Sequence, residues 1–142
     1  MKVIIIHHLQ KMWNSGLVRM GTSYEEMLLR VIEHLGIYNY DRVILTNFEG
    51  YKLEQEQEPL RQFSPEIYDY MYGWERDEVK DWNIDYVDGG SHSEVVLVYD
   101  WMYELDGEIH ICGAFDGECI QDLEFALDGA GKRYTRLNHL IV

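Results

Sequence analysis

"EIHICGAFDGECIQDLEFALDGAGKRYTRLNHLIV", residues 108–142, carries a strand, a helix and a second strand in one short span. The apolar run over 108–115 reads as a strand, 118–127 as a helix that Gly129 and Gly131 end, and 133–142 as a further strand. The rest of the chain repeats this alternation. Residues 2–6 close on three isoleucines, a continuous run that suits a strand buried on both faces of a parallel sheet. After a loop expected through Gly16 and Gly21, Thr22 and Ser23 stand three residues ahead of Glu25 and Glu26, the capping-box spacing that opens a helix. Met27, Val31 and Leu35 form its apolar stripe and Gly36 is its expected stop. "RVILTNFE" from Arg42 is a second strand. Residues 49–82 are polar and tyrosine-rich, with one irregular helix expected over 65–74. "NIDYV" from Asn83 is a short third strand that ends at Asp88 and the turn pair Gly89-Gly90. Ser91 or Ser93 then caps a helix to about Leu105, in which Val98, Trp101, Met102 and Leu105 recur at helical spacing. This order predicts an α/β fold. It is expected to be a three-layer doubly wound, Rossmann-like, mainly parallel sheet of about five strands with helices on both faces, forming one domain over 1–142.

Composition bounds the function classes. With 142 residues, 46% hydrophobic and 13% aromatic, the chain suffices for one ordinary core. A formal charge of −14 repels a phosphate backbone and an anionic lipid surface, so neither nucleic acid nor membrane is an expected partner. No stretch has the length of a membrane span or the pattern of a secretory leader, and a cytoplasmic location is expected. The two cysteines, Cys112 and Cys119, supply neither a disulfide framework nor a four-ligand zinc set. "HHLQKMWNSG" after the first strand is not a dinucleotide-binding glycine loop.

In doubly wound sheets ligands sit at the carboxyl ends of the strands, near the point where strand order reverses. That rule brings His8, Asp88 and Cys119 to one side of the sheet. It does not say which strands are neighbours.

"GAFDGECIQDLEFALDGAGKRYTRLNHLIV" resembles the C-terminal half of the isochorismatase-like cysteine hydrolases, the superfamily that includes nicotinamidases and N-carbamoyl amidases. Gly113 stands six residues before Cys119, Ile120 follows, and Ala126 and Gly131 are in register. The opening "VIIIHHLQKMW" is similar to the family's first strand, in whose context Leu9, Gln10 and Trp13 match. The resemblance implies a cis peptide near Ala114-Phe115, an oxyanion hole from the N–H groups of Phe115 and Cys119, and a homo-oligomer. It also implies an apolar pocket floored by Trp13, Phe48 and Phe115, with Ala114 beside them as a further substrate-binding residue. A small-molecule substrate or ligand is the expected partner.

The family's Asp position holds His8, and its Lys position holds Asp88. The family triad is therefore absent, and His8, Asp88 and Cys119 take its three places. They are the residue types of a nucleophilic triad: an imidazole takes the thiol proton, the thiolate attacks a carbonyl, and a carboxylate fixes the tautomer. The expected function is a cysteine hydrolase of a small amide or other carbonyl–nitrogen substrate. The alternative is a catalytically silent family member that binds a small molecule or a partner protein, because members of a triad act as a unit.

Each residue also has a plainer reading. Asp116 and Glu118 flank Cys119 and oppose a thiolate there. His8 reads otherwise as a hydrogen-bonded strand-end histidine, and strand alternation predicts that His7 and His8 cannot both enter one site. Asp88 before Gly-Gly is ordinary turn chemistry. Cys112, inside a strand, is expected to pack and do no chemistry. Glu54, Glu56 and Glu58 read as a solvated face, and no histidine lies between residues 50 and 82, so neither a metal nor another cofactor is expected. His34 and His139 are expected to be surface or packing residues.

Overall fold

The computed structural model describes residues 1–9, 13–47, 85–88 and 98–142. Gln10, Phe48, the helix expected over 65–74 and the caps expected at Ser91 or Ser93 lie outside them. Among the described residues, five strands form one sheet: β1 (Lys2–His7), β2 (Arg42–Asn47), β3 (Asp85–Asp88), β4 (Glu108–Gly113) and β5 (Thr135–Ile141). Their order across the sheet is β3-β2-β1-β4-β5. All four pairings are parallel. This is the α/β class read from the alternation. The central strand is the isoleucine run, and Val3, Ile4, Ile5 and Ile6 have no exposure at all, as a strand covered on both faces requires.

Side chains of β1 alternate between two apolar clusters. Ile4 and Ile6 join Leu17, Met27, Leu28, Val31 and Leu35 from α1 (Asn14–Arg19) and α2 (Tyr24–Ile37). Val3 and Ile5 join Met102 of α3 (Asp100–Tyr103) and Leu123, Ala126 and Leu127 of α4 (Cys119–Gly129). Among the described residues, no helix is long and apolar enough to cross a membrane.

The capping signal at the start of α2 is realised in atoms. Ser23 takes an extended backbone and its Oγ accepts the Glu26 N–H at 3.1 Å, while Thr22 Oγ1 donates to the Glu26 carboxylate at 3.0 Å. A Ser23→Ala variant is expected to lose about 1 kcal/mol of stability, read as a shift of the urea midpoint at unchanged slope.

Several boundaries depart from the sequence reading. The loop expected through Gly16 contains α1, because Gly16 sits in that helix beneath the Phe115 ring, where a Cβ would meet the ring at 2.8 Å. The glycine there marks a close approach between elements instead of a break in the chain. Gly36 does not stop α2, which runs on to Ile37 and is capped at Tyr38, whose N–H donates to the His34 carbonyl. Gly129 lies inside α4, and the left-handed residue that follows the helix is Gly131. The helix expected to include Val98 is in its described part only α3, with Tyr99 as an extended N-cap and Leu105 buried beyond its end.

Candidate functional site

Strand order reverses between β1 and β4: the chain steps outward from β1 to β2 and β3, then returns to the other side of β1 for β4 and β5. The crevice that such a reversal opens lies at the carboxyl ends of β1 and β4. Residues 7 and 8 stand at the first and residues 113–119 at the second.

Gly113 makes this edge possible. It pairs with His7 across the β1–β4 ladder and adopts φ +118. The Ala114 N–H then donates to the His7 carbonyl at 2.9 Å, and the Ala114–Phe115 peptide that follows is cis, where the resemblance implies one. A turn closes over residues 115–118. The Phe115 carbonyl accepts N–H groups from both Glu118 and Ile120 at 3.1 Å, so the residues on either side of Cys119 are tied to one oxygen. Cys119 is the first residue of α4 and is half-buried, whereas Cys112 is fully buried in β4 with its thiol pushed up by desolvation. The N-terminal end of a helix favours a thiolate; Asp116, Glu118 and Asp122 in the same turn oppose one. Arg136 of β5 offsets part of that opposition. Its Nη2 donates to Asp116 at 2.9 Å, and Nη1 pairs with Glu124 of α4, so one guanidinium staples the turn to the helix behind it.

The two histidines share one side of the strand end, which corrects the expectation that they must diverge. His8 leaves the strand with φ +53, and its ring stacks on that of His7 with centroids 3.9 Å apart and planes 18° from parallel. Alternation holds only for extended residues, and His8 is not one. Both histidines are 2% exposed. His7 Nδ1 lies 2.6 Å from Thr46 Oγ1 of β2, and its ring also bonds to the backbone of Cys119. With Nδ1 occupied by the hydroxyl, Nε2–H is the group that donates to the Cys119 carbonyl, and Thr46 O–H donates to Nδ1. Thr46 Oγ1 in turn accepts the His8 N–H at 3.2 Å. Burial, with His8 adding to it, holds the His7 imidazole well below the ordinary histidine range, against the smaller opposing pull of the Cys119 bond.

Thr46 and Arg136 were thus missed from the sequence, and His8 was preferred to His7, because each of the three acts through a partner on another strand or helix. Of the expected triad, the structure sets His8 and Cys119 at the ends of neighbouring elements around the β1–β4 reversal. Asp88 ends β3, paired with Asn47. With β2 between them, its backbone is roughly 10 Å from that of β1 at ordinary strand spacing. The partner that orients an imidazole at this edge is Thr46. Phe115 packs over Gly16 of α1, and Trp13 is the N-cap residue of that helix. Among the described residues, no three His, Cys, Asp or Glu side chains are placed to hold a metal ion together. In comparisons with known proteins, the chain matches no family model, no curated protein and no solved structure.

Proposed function

We propose that this chain is an isochorismatase-like cysteine hydrolase acting on the carbonyl–nitrogen bond of a compact substrate, with Cys119 as nucleophile and the finer, doubly wound three-layer form of the α/β fold. One observation carries the reading: Cys119 opens α4 at the carboxyl edge where strand order reverses, and His7, whose ring stacks on His8 at the end of β1, bonds to its backbone. In the proposed reaction the Cys119 thiol yields its proton to His8, and the sulfur attacks the carbonyl carbon. The proton passes to the departing nitrogen, and water cleaves the thioester. Phe115 and Cys119 N–H groups receive the developing oxyanion. Asp88, at the end of β3, is the carboxylate of the proposed set.

A second reading has an observation of its own. Both ring nitrogens of His7 are engaged in holding the edge together, which suits a crevice that binds a small molecule without cleaving it.

Iodoacetamide labelling followed by mass spectrometry across pH separates the two. Cys119 is expected to alkylate with an apparent pKa below the free-thiol value of about 8.5, and a His8→Ala variant is expected to return it to that value. Cys112, fully buried, serves as the internal reference for the folded state. If Cys119 shows a free-thiol profile, or one indifferent to His8, the hydrolase reading fails and the binding reading stands.

A further inference from the structure

A second set of titratable groups lies on the α2 face of the sheet, separate from the crevice. His34, in the last turn of α2, is only 8% exposed, and its Nε2 is 2.7 Å from the Tyr40 hydroxyl. That hydroxyl is 2.6 Å from His110 Nδ1 of β4, and His110 Nε2 is 2.8 Å from a carboxylate oxygen of Glu108. Tyr38 stacks on the His34 ring at 4.5 Å, and His139 of β5 meets it edge-on at 5.7 Å between centroids. A cavity of about 350 Å³ opens beside the cluster, lined by Arg30, Glu33, His34, Ile37, His139 and Leu140.

The chain of bonds has one direction. A carboxylate only accepts, so His110 Nε2 carries a proton and its Nδ1 is the acceptor. Tyr40 O–H therefore donates to His110, and the Tyr40 oxygen accepts from His34 Nε2–H. Every group is satisfied while both imidazoles are neutral. One added proton at His110 Nδ1 can be met by turning the Tyr40 hydroxyl toward His34 Nε2, with the His34 proton moved to Nδ1; a proton on each ring would set two N–H donors against one hydroxyl oxygen and leave the hydroxyl hydrogen with nowhere to go. A proton added to His34 would place a buried charge against two further imidazoles.

We propose that His34, Tyr40 and His110 form a pH-sensitive latch, which fastens the C-terminal end of α2 to β4 and the β5 edge at neutral pH and releases it in mild acid, widening the adjoining cavity. The surrounding charges divide as follows. On α2, Glu33 and the negative end of the helix favour a proton on His34, while Arg30, which is paired with Glu26 at 2.5 Å, opposes it. On β4, Glu108 favours a proton and His110 opposes it; on β5, His139 opposes it. Burial, then His139, then His110 prevail, and the His34 imidazole is held below its ordinary value. The Tyr40 hydroxyl and the Cys112 thiol, both pushed up by burial, stay protonated throughout. A base whose folded-state value is lowered contributes its stability above the unfolded value of about 6.5 and loses it as pH falls below that point. The latch therefore opens downward in pH.

Hydrogen–deuterium exchange of the wild-type chain at pH 7.5 and 5.5, corrected for intrinsic exchange rates, tests this. Protection of the amides over residues 33–38 is expected to fall severalfold further in acid than that over 123–129 of α4, whose own fall reports the loss of global stability. A Tyr40→Phe variant, which keeps the ring and removes the relay, is expected to show the low protection already at pH 7.5 and little further fall. The latch is overturned if the two segments lose protection together, if the α2 end is unaffected by acid, or if Tyr40→Phe retains the full pH response. Should the variant fail to fold, the wild-type comparison of the two segments decides alone.

Discussion

Replacing Gly113 with alanine is expected to cost about 2–6 kcal/mol, enough to remove much of the stability of a domain this size. Two costs add. The residue stands at φ +118, where an L side chain is strained by roughly 1–3 kcal/mol. The added Cβ would lie 2.1 Å from the His7 carbonyl oxygen and 2.7 Å from the His7 nitrogen, and both are backbone atoms of the central strand. No side-chain rotation relieves that contact. Either β1 and β4 part at their carboxyl ends or the turn to Ala114 is rebuilt, which adds an overpacking cost of about 1–3 kcal/mol. The same movement would withdraw the His7 carbonyl from the Ala114 N–H and loosen the edge that carries Cys119. Urea unfolding measures the loss. Gly36→Ala is the matched control, because a Cβ at Gly36 in α2 meets nothing within 4 Å and the backbone is helical. It is expected to gain about 0.5–1 kcal/mol. Losses of similar size at both positions would mean that glycine at 113 serves only general flexibility, and the close approach of β1 and β4 would lose its explanation.

The contrast between these two glycines shows what a sequence discloses. Local pattern was enough for the isoleucine strand, for the Ser23 cap, and for the order of strands and helices, because each depends on residues within a few positions of one another. Gly16, Gly36 and Gly113 look alike as letters. One lies under an aromatic ring that arrives from residue 115, one faces open space, and one abuts a strand more than a hundred positions away. The site divides in the same way. Cys119 at a helix start and His8 at a strand end were legible from spacing; the His7–Thr46 bond spans 39 positions and the Arg136–Asp116 pair 20. The rule that strand neighbours diverge failed at His8 because its left-handed backbone is fixed by tertiary contacts, including the Thr46 carbonyl and hydroxyl that both meet the His8 N–H. His34 was read as surface or packing, and its role became visible only once Tyr40 and His110 stood beside it.

Acid is expected to unfold the chain through His7 before the carboxylates are protonated. The His7 imidazole is neutral in the folded protein and lies well below its ordinary value, through burial first and His8 second. In the unfolded chain it titrates near 6.5, so between that value and its folded-state value the unfolded chain binds more protons. Stability is therefore full above about pH 6.5 and falls as pH drops below it, by up to about 1.4 kcal/mol per pH unit for this one group. Hydrogen bonding sets the same direction. A second proton on the ring would sit at Nδ1 against Thr46 Oγ1, which already accepts the His8 N–H, and the threonine hydroxyl would have to turn away from its acceptor. Urea midpoints at pH 7.5, 6.5 and 5.5 measure the slope, and a His7→Asn variant assigns it. The variant is expected to be less stable than wild type at pH 7.5, since Thr46 and the Cys119 carbonyl lose their partner, by about 1–3 kcal/mol. Its stability should nevertheless fall less steeply toward pH 5.5, leaving the two chains closer in acid than at neutrality. Parallel curves for the two chains would show that His7 is not the group that acid attacks, and the slope would then belong to other histidines, His34 first among them.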